Sequence, residues 1–196
     1  SGSTTEAGGT ATFTVKLNSH PSSNVTIGVS SSDTGEGTVS PSSLTFTSSN
    51  WNANQTVTVT GVDDSLDDGN QSYTIVLAAA SSSDSDYSGL NPTDVSVTNT
   101  DDETVGFSVS SISGSTTEAG GTATFTVKLN SQPTADVTIA VSSSDYTEGT
   151  VSPSSLTFTS SNWNANQTVT VTGVNDSLDD GNQSYTVVLA AASSSD

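Results

Sequence analysis

The side chains with the most chemistry to offer in this chain are its acids, and they come in clusters. Asp63 to Asn70 reads DDSLDDGN, Asp101 to Glu103 reads DDE, and further acids stand at Glu6 and Asp33. A hard divalent cation such as calcium takes about six to eight oxygen ligands, and a carboxylate-rich loop with a glycine for a tight turn supplies several of them. One loop is too few. In a β-sandwich, however, the loop after the fifth strand, the segment near Glu6 and the exit of the last strand at Asp101 can converge at one end. That many like charges brought together repel and raise one another's pKa unless a cation lies between them. The competing explanation is that acidic loops are solvated surface that keeps a protein soluble. Clustering in loops, rather than spread over strand faces, favours the cation.

No other constellation supports chemistry. His20 is the sole histidine, which removes a Ser/His/Asp arrangement or a histidine metal site. There is no nucleophile, base or cofactor loop, and no enzyme is expected. Lys16 and Lys128 fall on the polar phase of their segments and read as solvated charges. Trp51 and Trp163 precede a strand, where an amphipathic ring caps a core more often than it stacks on a sugar. The sequons at Asn24, Asn54, Asn70, Asn166, Asn175 and Asn182 are common by chance in an Asn/Ser/Thr-rich chain.

The acids must be positioned by β-structure. Ala11, Phe13, Val15 and Leu17 alternate with Thr12, Thr14 and Lys16, and Val25, Ile27 and Val29 with Thr26 and Gly28. This period of two marks half-buried strands. Leu44 and Phe46, Val57 and Val59, Tyr73 to Leu77, Val95 and Val97, and then Phe107 and Val109 continue it. No segment has a helical period, and the Thr-x-Thr faces favour strand through β-branching. About seven short antiparallel strands per repeat predict an all-β fold of immunoglobulin- or fibronectin-like sandwiches.

The sequence repeats. Ser1 to Ser19 returns at Ser113 and the phrase around Trp51 returns around Trp163, both at an offset of 112 residues. The copies differ at scattered positions, among them Thr34 to Tyr146, Gly35 to Thr147, Asp63 to Asn175 and Ile75 to Val187. Ser85 to Ile112 occurs once, between them. Residues 1–103 therefore read as one repeat lacking its first strand and 104–196 as a second lacking its last, a window cut out of phase with its domains. Neighbouring repeats, in the same chain or in identical chains of a linear fibre, are the expected partners that supply the missing strands.

TTEAGGTATFTVKL, the region of Asp33, GTVSPSSLTFTSSNWNANQTVTVTGVDD and the closing VSVTNTDDE resemble the Calx-beta domain of bacterial surface repeats. The resemblance spans most of the repeat. It implies a sandwich that binds Ca²⁺ at one pole, with ligands at Glu6, Asp33, Asp63, Asp64, Asp68, Asp101, Asp102 and Glu103. In the second copy it implies Glu118, Asp145, Asp176 and Asp180, with Asn175 in place of Asp63 and no counterpart of the terminal trio.

Charge narrows the setting. With 21 Asp and Glu against two Lys and Arg, a net charge of -19, the chain has no basic face for nucleic acid or for anionic lipid. No run approaches the roughly 20 apolar residues of a membrane span, so no direct membrane insertion is expected. So acidic a balance departs from that of an ordinary cytoplasmic domain, and the resemblance implies a secreted or cell-surface protein; with no cysteine, its stability there must come from its core or from bound ions. The expected function is a calcium-binding structural repeat, a rod-like spacer of an extracellular adhesin or surface filament. The short passage from DDE into VGFSVSS, without a Gly/Pro-rich hinge, favours it. The alternative is a calcium-sensing or ligand-binding module, for carbohydrate or for ice. Thr56, Thr58 and Thr60 suggest an ice-binding row, yet alternation with core residues already accounts for them.

Overall fold

The computed structural model describes residues 2–175 and 177–196, and among them there is no helix. Contacts divide the chain into two units, one of residues up to Asp64 with Asp68–Asp102, the other of Ser65–Asp67 with Glu103–Asp196.

The first unit holds nine strands: β1 (Gly2–Thr5), β2 (Thr10–Val15), β3 (Val25–Ser31), β4 (Gly37–Ser40), β5 (Ser43–Phe46), β6 (Gln55–Gly61), β7 (Gln71–Leu77), β8 (Ser81–Ser82) and β9 (Val95–Thr100). One sheet runs β1-β9-β7-β3-β5 with β8 beside β3, and the other β2-β6-β4. Each strand turns its apolar phase inward, as in β6, where Val57 and Val59 are buried between threonines. That alternation is what a sheet with one face on the core demands. Val25, Ile27, Val29, Leu44, Phe46, Val57, Val59, Tyr73, Ile75, Leu77 and Val97 form the core, and Trp51 packs at its margin with an edge-on contact to His20.

Besides the two-residue β8, held by its pairing with β3, two strands of the first unit lie outside the sequence expectation. β1 pairs in parallel with β9, Thr5 opposite Thr100, although GSTT carries no hydrophobic alternation. Backbone hydrogen bonding alone makes it a strand. β4 contains a single large apolar residue, Val39, too little for a pattern, and is held by its register on β6, Gly37 opposite Gly61.

The second unit contains β10 (Phe107–Val109), β11 (Thr122–Leu129), β12 (Val137–Ser143), β13 (Gly149–Ser152), β14 (Ser155–Phe158), β15 (Gln167–Gly173) and β16 (Val187–Leu189). Its sheets are β10-β11-β15-β13 and β14-β12-β16. Phe125, Val127, Leu129, Ile139, Val141, Leu156, Phe158, Val169 and Val171 fill its core, each the counterpart of a first-copy position.

Candidate metal centre

The strand registers of the first unit bring five chain segments to one pole. Gly37 starts β4 opposite Gly61, which ends β6. Gln71 starts β7 opposite Asn99 near the end of β9, and β1 ends at Thr5 beside Thr100. The loops at these ends carry Asp33 and Glu36, Asp63 and Asp64, Asp68, Glu6, and Asp101 to Glu103.

Two groups of carboxylates form there. Glu36, Asp64 and Asp68 each place an oxygen within 4.8 Å of the others, and Glu6, Asp102 and the following Glu103 do the same. Oxygens about 2.4 Å from a shared calcium ion lie at most about 4.8 Å apart, so each group has the span of one coordination sphere. An all-oxygen donor set suits a hard cation rather than zinc or copper. Glu6 is 1% exposed, and a buried carboxylate needs compensation. Two lysines in the whole chain cannot neutralise 21 acids. On these grounds the residues fit Ca²⁺, and Glu36, Asp64, Asp68, Glu6, Asp102 and Glu103 are those that would hold it.

A buried amide stitches the pole together. The Thr4 hydroxyl donates to Asn99 Oδ1 at 2.8 Å, and Asn99 Nδ2 donates to the Val62 carbonyl at 3.0 Å and to Glu36 Oε2 at 3.4 Å. One side chain on β9 thereby ties β1, the end of β6 and the β3–β4 turn. The space it occupies depends on Gly61, where a Cβ would stand 2.2 Å from the Thr5 carbonyl oxygen and 2.5 Å from Asn99 Oδ1.

Glu36 feels the crowding. Burial pushes its carboxyl above the ordinary value, the Asn99 hydrogen bond works the other way, and the charges of Asp68, Asp33 and Asp64 raise it further.

The other expected ligands divide. Asp101 accepts a 2.7 Å hydrogen bond from Gly69 N, whose φ of 72° makes the turn into β7. It orders the loop that carries Asp68. Asp33 accepts from Gly35 N at 2.9 Å within its own turn and lies outside both groups, as does exposed Asp63. In the second copy Glu118 and Asp180 are exposed. Asp145 repeats the Asp33 turn, bonding Thr147 through side chain and backbone, which holds its carboxyl below the ordinary value. Asp176 lies outside the described residues. No acidic group of this kind forms in the second copy among the described residues.

Sequence reasoning missed Glu36 and Asn99. A signal for Glu36 was available: Asp33 to Thr38 reads DTGEGT and Asp145 to Thr150 reads DYTEGT, so the glutamate persists where both preceding residues change. Asn99 gives no such signal, since an asparagine in a Thr-rich strand is read as surface.

The fold and the site define a tandem pair of β-sandwiches, one of them with an acid-lined pole. The sequence profile of the Calx-beta domain matches residues 2–103 and again 98–196. The chain belongs to the Calx-beta family and carries two such domains in tandem; the family is known for calcium-binding modules in exchangers. No curated protein matches it significantly. Among solved structures, the crystal structure of CBD12 from CALX1.2 is similar at 16% identity and a TM-score of 0.42, over 97% of this chain and 77% of that one. The crystal structure of calcium binding domain CBD12 of CALX1.1 gives 16% and 0.41 over the same shares. The family assignment rests on the sequence match.

Proposed function

We propose that this chain is a calcium-binding structural repeat of an extracellular adhesin or surface filament, in which tandem Calx-beta domains serve as a rod-like spacer and the ion stiffens the pole of each complete domain. The observation that carries calcium is the Glu36, Asp64 and Asp68 group, three carboxylates from two loops, β3–β4 and β6–β7, within 4.8 Å of one another. The spacer role is supported by the near-identical repeat at 112 residues and by its acidic, cysteine-free composition.

An ion bound to the native state alone adds RT ln(1 + [L]/Kd), about 2.7 kcal/mol at a hundredfold excess over Kd. The melting temperature of the first domain therefore rises between excess chelator and millimolar calcium at fixed ionic strength. The double substitution Asp64→Asn with Asp68→Asn removes most of that rise. An unchanged melting temperature in the parent, or a parent-like rise in the double variant, overturns the assignment.

A further inference from the structure

Of the aspartates at the acidic pole, Asp68 alone is followed by glycine. That pairing has a chemistry of its own. In an Asp-Gly sequence the glycine's backbone nitrogen reaches the carboxyl carbon of the aspartate side chain with no Cβ to obstruct it. A five-membered succinimide then closes with loss of water. Asp68 and Gly69 are both exposed, and a Cβ on Gly69 would meet nothing within 4 Å, so water has access to the bond. The φ of 72° at Gly69 lies in the left-handed region that glycine adopts without strain. The turn into β7 thus calls for the very residue that makes this bond labile.

We infer that Asp68 is a site of spontaneous isomerisation to isoaspartate, held in check by the hydrogen bond from the Gly69 nitrogen to Asp101. The atom that would attack is the one the fold engages: Gly69 N donates to Asp101 Oδ2 at 2.7 Å. Asp101 N in turn donates to Asn70 Oδ1 at 3.1 Å, and the Asp68 carbonyl accepts from Gln71 Nε2 at 2.8 Å. The segment from Asp68 to Gln71 is thereby fixed against the exit of β9. Cyclisation requires Gly69 N to leave Asp101, and a bond from a backbone N–H to a carboxylate is among the stronger kinds. The rate at which the pole ages is set by how often this clamp opens.

The step needs no co-reactant but water. Gly69 N gives up its proton and bonds to Asp68 Cγ, and one carboxyl oxygen leaves as water. Water then adds to either ring carbonyl. Cleavage of the new bond to Cγ restores aspartate. Cleavage of the original peptide bond leaves the main chain running through Cβ and Cγ, a methylene longer, with the α-carboxyl free. Mass and charge are unchanged, but the carboxylate is displaced from Glu36 and Asp64, with which Asp68 shares its 4.8 Å span. A further consequence rests on the calcium reading proposed above. A carboxylate oxygen held on a cation is not free to depart as water, so calcium slows the step, and isomerisation in turn weakens the calcium response.

The test ages the full chain at neutral pH and physiological temperature and reads isoaspartate at position 68 by peptide mapping with electron-transfer fragmentation. Asp180, also followed by glycine, is read separately, because its peptide carries Val187 where the other carries Ile75. The parent is compared in denaturant, in chelator and in millimolar calcium, and Asp101→Ala in chelator. Isoaspartate at 68 is expected in denaturant, with the native parent in chelator slower by on the order of tenfold, the weight of one hydrogen bond to a charged group. Folded Asp101→Ala loses most of that protection. Where the variant unfolds, the parent decides: exchange of the Gly69 amide and isomerisation at Asp68 are slowed by similar factors relative to denaturant. Native and denatured rates that are equal, or a folded Asp101→Ala as slow as the parent, overturn the clamp. A rate indifferent to calcium, in a chain whose melting temperature still rises with calcium, overturns the coupling alone. Protection by Asp101 with no calcium effect on rate or melting temperature overturns the calcium reading and leaves the modification site standing.

Discussion

The same sequence folds differently in the two halves of this molecule. GNQSYT opens the seven-residue strand β7 in the first domain, while its copy at 181–186 is not strand and β16 spans only Val187–Leu189. Tyr73 is buried at 5% exposure and Tyr185 is half-buried; Glu6 is buried and Glu118 exposed. The difference runs the other way at the opposite sheet. Phe125 is buried on β11, which β10 flanks, whereas Phe13 on β2 is only half-buried. Among the described residues the first domain has β9, and with it β1 and the short β8, where the second has no strand, and the second has β10, which the first lacks. Strand state, burial and acid clustering follow these neighbours, since an edge strand must find its hydrogen bonds on another segment.

The strongest way to break the comparison is to remove β9's contribution where it stands. Val97 is 3% exposed between β7 and β1, so Val97→Asp buries an unpaired charge and costs about 3–5 kcal/mol. Chemical denaturation measures the loss, and hydrogen exchange should show 71–75 becoming as unprotected as 183–187. A cost under about 1 kcal/mol would mean that β9 is not what distinguishes the copies.

Next in size is Asn99→Ala. It strips partners from Thr4 and the Val62 carbonyl in a fully buried place, for about 1–3 kcal/mol. Because Asn99 also holds Glu36, the calcium-induced rise in melting temperature shrinks as well; a loss of stability with an unaltered calcium response would separate the amide from the site.

Glu36→Gln sharpens the contrast between the copies. Without calcium it relieves crowding with Asp68, Asp64 and Asp33 and leaves the first domain at least as stable as the parent, while with calcium it lowers the ion's effect. Glu148→Gln, at the equivalent position of the second copy, leaves the calcium response unchanged. Paired calorimetric titrations of the two variants check this.

The smallest effect is in pH. Glu36 has a folded pKa raised above its unfolded value, so its contribution to stability is full below the unfolded pKa and is lost as pH rises through the folded one. Protons and calcium compete for it, and the calcium-induced stabilisation weakens as pH falls through that raised pKa. Asp84 behaves oppositely. Backbone donors at Ser22 and Asp86 lower its pKa, so its contribution is present above the unfolded pKa and is lost as pH falls through the folded one. Acid titration of melting temperature in chelator, for the parent, Glu36→Gln and Asp84→Asn, separates the two slopes.

The sequence by itself determined the strands whose apolar residues alternate, such as β3 and β6, the repeat of 112 residues, and the placing of acids in loops. These are local properties, written in side-chain type and spacing. Tertiary structure alone decided that Glu36 joins Asp64 and Asp68 while Asp33, three residues earlier, turns back on its own loop. It alone made GSTT a strand at 2–5, where β9 pairs with it, and left the identical GSTT at 114–117 outside any strand. The physical reason is the same in each case. A β-strand's hydrogen bonds and a metal site's ligands both come from segments remote in the chain, so identical residues acquire different structures according to which neighbour lies beside them.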